Sequence, residues 1–123
     1  MGKRVLIVDD AGTVRARLRE IFVEGGFEVV GEAEHGLDAV SKYEELRPDL
    51  VSMDIVMPFK NGIEATREIL SIDKQAQILI CSALGQETLL MEAIEAGASA
   101  FVVKPFQPNQ VLDVATKILG TAV

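Results

Sequence analysis

The chain has a single cysteine, Cys81, so neither a disulfide framework nor a multi-cysteine zinc site can be built from it. In the apolar run "QILICSA", Cys81 reads as a small buried hydrophobe. Long apolar runs are missing too. The longest aliphatic stretches, such as "VLIV" at 5–8, fall far short of the roughly 20 residues a membrane helix needs. The opening "MGKRVLIVDD" turns acidic too soon for a secretory signal, so a cytoplasmic protein without membrane attachment is expected. Positive charge is scarce: 12 Lys and Arg face 19 Asp and Glu, for a net charge of −7. A surface that tracks nucleic-acid phosphates needs clustered basic residues, so the balance argues against direct nucleic-acid binding. Arg15, Arg17 and Arg19 alternate along an apparent helix, which reads as three solvated charges scattered around it. A length of 123 residues fits one compact domain over 1–123.

Five short runs rich in Val, Ile and Leu are present: "RVLIV" (4–8), "FEVVGEA" (27–33), "DLVSM" (49–53), "QILICS" (77–82) and "AFVV" (100–103). Each is followed by a segment with helical spacing. The first, "TVRARLREIFVEGG", puts Val14, Leu18, Ile21 and Phe22 on one face and stops at Gly25–Gly26. "GLDAVSKYEELRP" ends at Pro48, and "NGIEATREILSI" opens with Asn61 as N-cap and Glu64 three residues on, a variant of the capping box. "QETLLMEAIEAG" stops at Gly97, and "PNQVLDVATKILG" opens on a proline and closes at Gly120. Strand and helix alternate five times. That pattern predicts an α/β domain: a five-stranded parallel sheet with helices on both faces.

Open sheets of this kind bind ligands beyond the carboxyl ends of their strands. Asp9 and Asp10 follow the first strand, Asp54 the third, Ser82 closes the fourth and Lys104 follows the fifth. The second ends in "EAEHG", with nothing comparable. Any one of these residues alone reads as a turn former or a solvated charge. Five of them at the ends of four strands read as a site. If the first and third strands are neighbours, three carboxylates converge beside a hydroxyl and an ammonium. Such a cluster needs a cation, and Mg2+ prefers this kind of oxygen donor. Lys104 and Ser82 then suit phosphoryl oxygens, and a carboxylate can itself be the nucleophile that becomes an acyl phosphate. This explains why Asp54 interrupts the greasy stretch "DLVSMDIVMP".

With "VLIVDDA", "MDIVMPFKNG", "ICSALG" and "FVVKPFQP" in place, the chain resembles, over nearly its whole length, the receiver domain of bacterial two-component response regulators, and most of all its stand-alone chemotaxis members. The resemblance implies a flavodoxin-like sheet of strand order 2-1-3-4-5. It implies that Asp54 accepts phosphate from a histidine kinase, and that Asp10, Asp54 and the Val56 backbone carbonyl ligate Mg2+, with Asp9 acting mainly through water. Ser82 and Lys104 would bind phosphoryl oxygens. Phosphorylation would draw Ser82 inward and let Phe101 rotate inward, remodelling the surface of the fourth helix, fifth strand and fifth helix. A cis Lys104–Pro105 bond is also implied.

Phe101 stands where some members have tyrosine, so an output contact through a ring hydroxyl is lost. Val56 is apolar and cannot orient an attacking water, which predicts slow self-dephosphorylation. Ala83, small and adjacent to Ser82, leaves the site open to a kinase or phosphatase. His35 in "EAEHGLD" reads as a solvated loop residue, and Met53 and Met57 as core fillers under the site. Leu89, Leu90 and Met91 are consecutive in a helix, so at least one should be exposed.

The resemblance makes the chain a monomeric, phosphorylation-dependent binding module, a phosphoacceptor and not an enzyme with a separate substrate. Its implied partners are a CheA-type kinase and a flagellar motor switch protein or phosphatase. A phosphorelay intermediate, or a receiver excised from a longer transcriptional regulator, would use the same site. A small aspartyl phosphatase or phosphotransferase is the alternative of another class, but many such enzymes carry D-x-D after the first strand, where Asp9 and Asp10 are adjacent. A flavin module is disfavoured because the acids would repel a flavin phosphate and no Gly/Ser/Thr-rich phosphate loop follows the first strand.

Overall fold

Of the single unit expected over 1–123, the computed structural model describes residues 2–120; residues 1 and 121–123 lie outside the described residues. The chain alternates β1 (Arg4–Val8), α1 (Gly12–Glu24), β2 (Glu28–Ala33), α2 (Gly36–Leu46), β3 (Leu50–Asp54), α3 (Gly62–Ile72), β4 (Ile78–Ser82), α4 (Glu87–Glu95), β5 (Ala100–Val103) and α5 (Pro108–Leu119). All strands pair in parallel, in the order β2-β1-β3-β4-β5. Burial follows that order. Central β3 and β4 are buried throughout, whereas the edge strands β2 and β5 are only partly covered.

The period-two alternation of the strands divides the core between the two faces of the sheet. Leu6, Val8, Val51, Met53, Ile78 and Ile80 pack with α2, α3 and α4. Val5, Ile7, Leu50, Leu79, Cys81 and Val102 pack on the other face with α1 and α5. Met57 is buried as well, and Leu89 and Leu90 lean on the core while Met91 stands exposed. No helix among the described residues is long and apolar enough to cross a membrane.

Several boundaries have local causes. Asn61 and Glu64 form a complete reciprocal capping box at the start of α3. Gly120 closes α5 in the left-handed region, at φ 65°. α2 stops at Leu46, two residues before Pro48. Arg47 breaks it at φ 44°, its guanidinium lying over the Tyr43 ring and its carbonyl accepting a bond from Arg4 Nη1. His35 is not simply solvated: its Nδ1 accepts the Asp38 N–H at 3.1 Å and caps α2.

The loop from β3 to α3 folds tightly over the strand end that carries Asp54. The Gly62 N–H donates to the Ile55 carbonyl at 2.7 Å, and a Cβ at Gly62 would run into the Asp54 carbonyl oxygen. Only glycine permits that approach. Gly62→Ala is therefore expected to cost about 1 to 3 kcal/mol of stability, read as a lowered urea midpoint. An unchanged midpoint would show that the loop yields freely and that this contact does not set the position of Asp54.

Candidate functional site

The adjacency of β1 and β3 follows from their register, Val8 opposite Met53, and it brings the ends of both strands to one place. Asp9 leaves β1 as Asp54 closes β3. One oxygen from each of Asp9, Asp10 and Asp54 lies within 4.8 Å of the other two. Asp9 and Asp54 are buried and Asp10 is exposed, so the cluster is walled by protein on one side and open to water on the other.

Lys104 reaches into the cluster from the loop after β5. Its Nζ donates to Asp9 Oδ2 and to Asp54 Oδ1, at 3.2 Å each. Burial alone would lower the Lys104 pKa, but the Asp54 and Asp9 carboxylates outweigh it and hold the ammonium above its ordinary range. Asp54 is pushed up to about 6, first by burial and then by the neighbouring Asp9 charge, with Lys104 opposing both. The Lys104–Pro105 bond is cis.

Asp54 Oδ1 also accepts the N–H of Ile55 at 3.0 Å. Both of these hydrogen bonds therefore fall on one oxygen, leaving Oδ2 free to act. Ser82 closes β4 beside this oxygen pair's strand, almost wholly buried, and its hydroxyl takes part in none of these hydrogen bonds. Val56, 52 % exposed, sits on the rim with its side chain outward. Phe101 lies farther along β5 and is half exposed. It borders an apolar groove of about 630 Å3 between α4 and α5, shared with Met91, Ile94, Val114 and Ile118.

The site extends beyond the residues that interrupt the apolar runs. Arg15 is not a free surface charge: Nη1 donates to the Asp9 carbonyl at 2.6 Å and Nε to Glu32 at 3.0 Å. Arg19 pairs with the same Glu32 at 2.7 Å, while Arg17 remains exposed beside Lys104, Pro105 and Phe106. The signal was in the spacing. Arg15 and Arg19 are four apart and share a helix face, and Glu32 in β2 and Glu34 just past its end are two apart and both within reach of Arg15.

An oxygen-only donor set of three carboxylates, one of them reluctant to ionise, is chemically matched to a hard divalent cation such as Mg2+. The free Asp54 oxygen next to a fixed ammonium suits transfer of a phosphoryl group.

The response regulator receiver domain model matches residues 5–116. The chain is 55% identical over 118 residues to the chemotaxis protein CheY of Thermotoga maritima, covering 96% of this chain and 98% of that one. It is 54% identical to CheY of Bacillus subtilis over 98% of this chain and all of that one. Among solved structures, CheY in the CheX–CheY–BeF3–Mg2+ complex of Borrelia burgdorferi superposes with a TM-score of 0.89 at 36% identity, over 94% of this chain and 88% of that one. The sheet order, the gathering of acids at the ends of β1 and β3, and these similarities agree: the chain belongs to the response regulator receiver domain family, the phosphorylation-activated signalling component of two-component systems.

Proposed function

We infer that this receiver accepts a phosphoryl group on Asp54 from a CheA-type histidine kinase and passes the signal through protein contacts in chemotaxis. The observation that carries this is the Asp54 carboxylate: Oδ1 is held by Lys104 and the Ile55 N–H, and Oδ2 is free. In the transfer, Asp54 Oδ2 attacks phosphorus, the P–N bond to the kinase histidine breaks, and its electron pair returns to the imidazole. The product is an acyl phosphate on Asp54.

Asp10, Asp54 and the Val56 carbonyl would hold Mg2+, with Asp9 acting through water. When bound, the ion supplies the positive charge that lets the acids and the phosphoryl oxygens share one site. Lys104 and the unengaged hydroxyl of Ser82 bind phosphoryl oxygens, and Lys104 exchanges its carboxylate contacts for them. The presence of BeF3 and Mg2+ with the Borrelia burgdorferi CheY supports this assignment. Inward movement of Ser82 and of the half-exposed Phe101 would then reshape the α4–β5–α5 groove for a motor switch protein, and the open rim would admit a phosphatase. The chain works as a cytoplasmic monomer in this account. Membership of the receiver family supports the signalling reading over the phosphatase-enzyme and flavin readings of the sequence.

Treatment with acetyl phosphate followed by hydroxylamine tests the chemistry. One phosphoryl group should be gained and then released by hydroxylamine, as from an acyl phosphate. A hydroxylamine-resistant adduct would place the phosphate on a hydroxyl such as Ser82 and overturn the assignment. Val56 makes a further expectation concrete, because an apolar side chain on the rim offers no hydrogen bond to an attacking water. Val56→Asn should speed phosphate loss by on the order of tenfold or more. Decay at the parent rate would rule out control of water by this position.

A further inference from the structure

We propose that Arg15 is a positioning residue for the acidic pocket: anchored by Glu32, it clamps the Asp9 carbonyl and fixes the turn that presents Asp9 and Asp10 to Asp54. The inference deepens the Mg2+ assignment above and rests on it.

Asp9 is held through every polar atom it has. Its N–H donates to the Ala33 carbonyl at 3.1 Å, Oδ1 accepts the Ala11 N–H at 2.9 Å, Oδ2 accepts Lys104, and the carbonyl accepts Arg15 Nη1 at 2.6 Å. The last of these matters most for Asp10. The peptide between Asp9 and Asp10 is planar, so holding its oxygen fixes the plane and with it the direction in which Asp10 leaves the strand. Asp10 is exposed, and none of the hydrogen bonds that Asp9 makes restrains its carboxylate directly. Its place within 4.8 Å of the other acids therefore depends on the backbone that carries it.

The clamp is itself supported. Arg15 Nε bonds Glu32 Oε1 at 3.0 Å, and Nη2 lies 3.5 Å from Glu34. Glu32 gives its other oxygen to Arg19, and its backbone carbonyl accepts Lys42 Nζ at 2.7 Å. Burial alone would raise the Glu32 pKa, but hydrogen bonds from Arg19 and Arg15 outweigh it and keep the carboxylate below its usual range. The guanidinium thus spans α1, β2 and the β1–α1 turn. A planar fork reaches three acceptors in fixed directions, which a lysine ammonium on one flexible stem does not. β2, the strand whose end adds no residue to the cluster itself, takes part in this way.

The test is a Mg2+ titration of the unphosphorylated protein followed through backbone amide chemical shifts. Arg15→Ala should weaken Mg2+ binding about tenfold or more, the usual effect of losing a partner that orients a ligand. Its metal-free shifts at Asp9, Asp10 and Ala11 should move as well. Arg15→Lys should fall between parent and Arg15→Ala. Arg19→Ala, which breaks the other Glu32 pair without touching Asp9, should stay within twofold of the parent. Parent-like affinity in Arg15→Ala overturns the proposal. Should Arg15→Ala fail to fold, Arg15→Lys decides: parent-like affinity overturns the proposal and a loss supports it. A parent that binds no Mg2+ defeats the metal assignment instead, and unmoved metal-free shifts at Asp9 to Ala11 then defeat the clamp as well.

Discussion

Lys104→Met is expected to slow phosphoryl transfer from acetyl phosphate about 100-fold or more, the scale on which removal of one fixed donor to a transition-state oxygen is felt. The same ammonium bonds both Asp9 and Asp54 at 3.2 Å, so its loss leaves two buried carboxylates facing each other. Asp54 can escape by taking up a proton, which limits the damage. A stability loss of about 1 to 3 kcal/mol at pH 7 should remain, and it should shrink in acid, where Asp54 is protonated in parent and variant alike. The checks are the initial rate of mass gain and urea midpoints at pH 7 and pH 5. A rate within a few-fold of the parent would mean that Lys104 only balances charge in the resting protein.

Asp54→Asn should remove the phosphoacceptor and, in chelator, make the protein more stable at neutral pH. Burial, followed by repulsion from Asp9, lifts Asp54 from 3.8 to about 6. A carboxyl whose folded pKa is raised favours folding below its unfolded pKa and loses that contribution as pH rises through the folded value. Above about pH 6, the ionised group therefore strains the fold. Two units correspond to at most about 3 kcal/mol with the opposing Lys104 contact already included, so a gain of about 1 to 3 kcal/mol is expected for asparagine. The advantage should be full at pH 8 and vanish towards pH 4. Chelator is needed because a bound cation would itself stabilise the parent. Equal midpoints at pH 8 would show that the cluster stores no electrostatic strain.

What could be seen in the sequence was whatever interrupts a pattern. Asp9, Asp54, Ser82 and Lys104 stood out because each ends a run of residues with strand periodicity, and the structure puts all of them at the same edge of the sheet. Element boundaries were visible for the same reason, with caps and glycines where helices stop. Contacts that depend on packing between elements were harder to see. Arg15 meets Glu32 across 17 positions, and an alternating arginine pattern reads as surface until the i, i+4 pair is matched to its strand partner. Gly62 looks like an ordinary helix-start glycine until the Asp54 carbonyl is found against it. Phe59 holds the left-handed region at φ 67° without being glycine, its ring set edge-on to His35 at 5.0 Å, and no propensity points to that.

The most direct measurement is intact mass after incubation with acetyl phosphate, with and without Mg2+, on the parent and on Asp54→Asn. Gain of a single phosphoryl group is expected only for the parent and only with Mg2+. No gain in the parent, or an equal gain in Asp54→Asn, would contradict phosphorylation at Asp54 and leave the acidic cluster as a structural or metal-binding feature of a receiver that signals by other means.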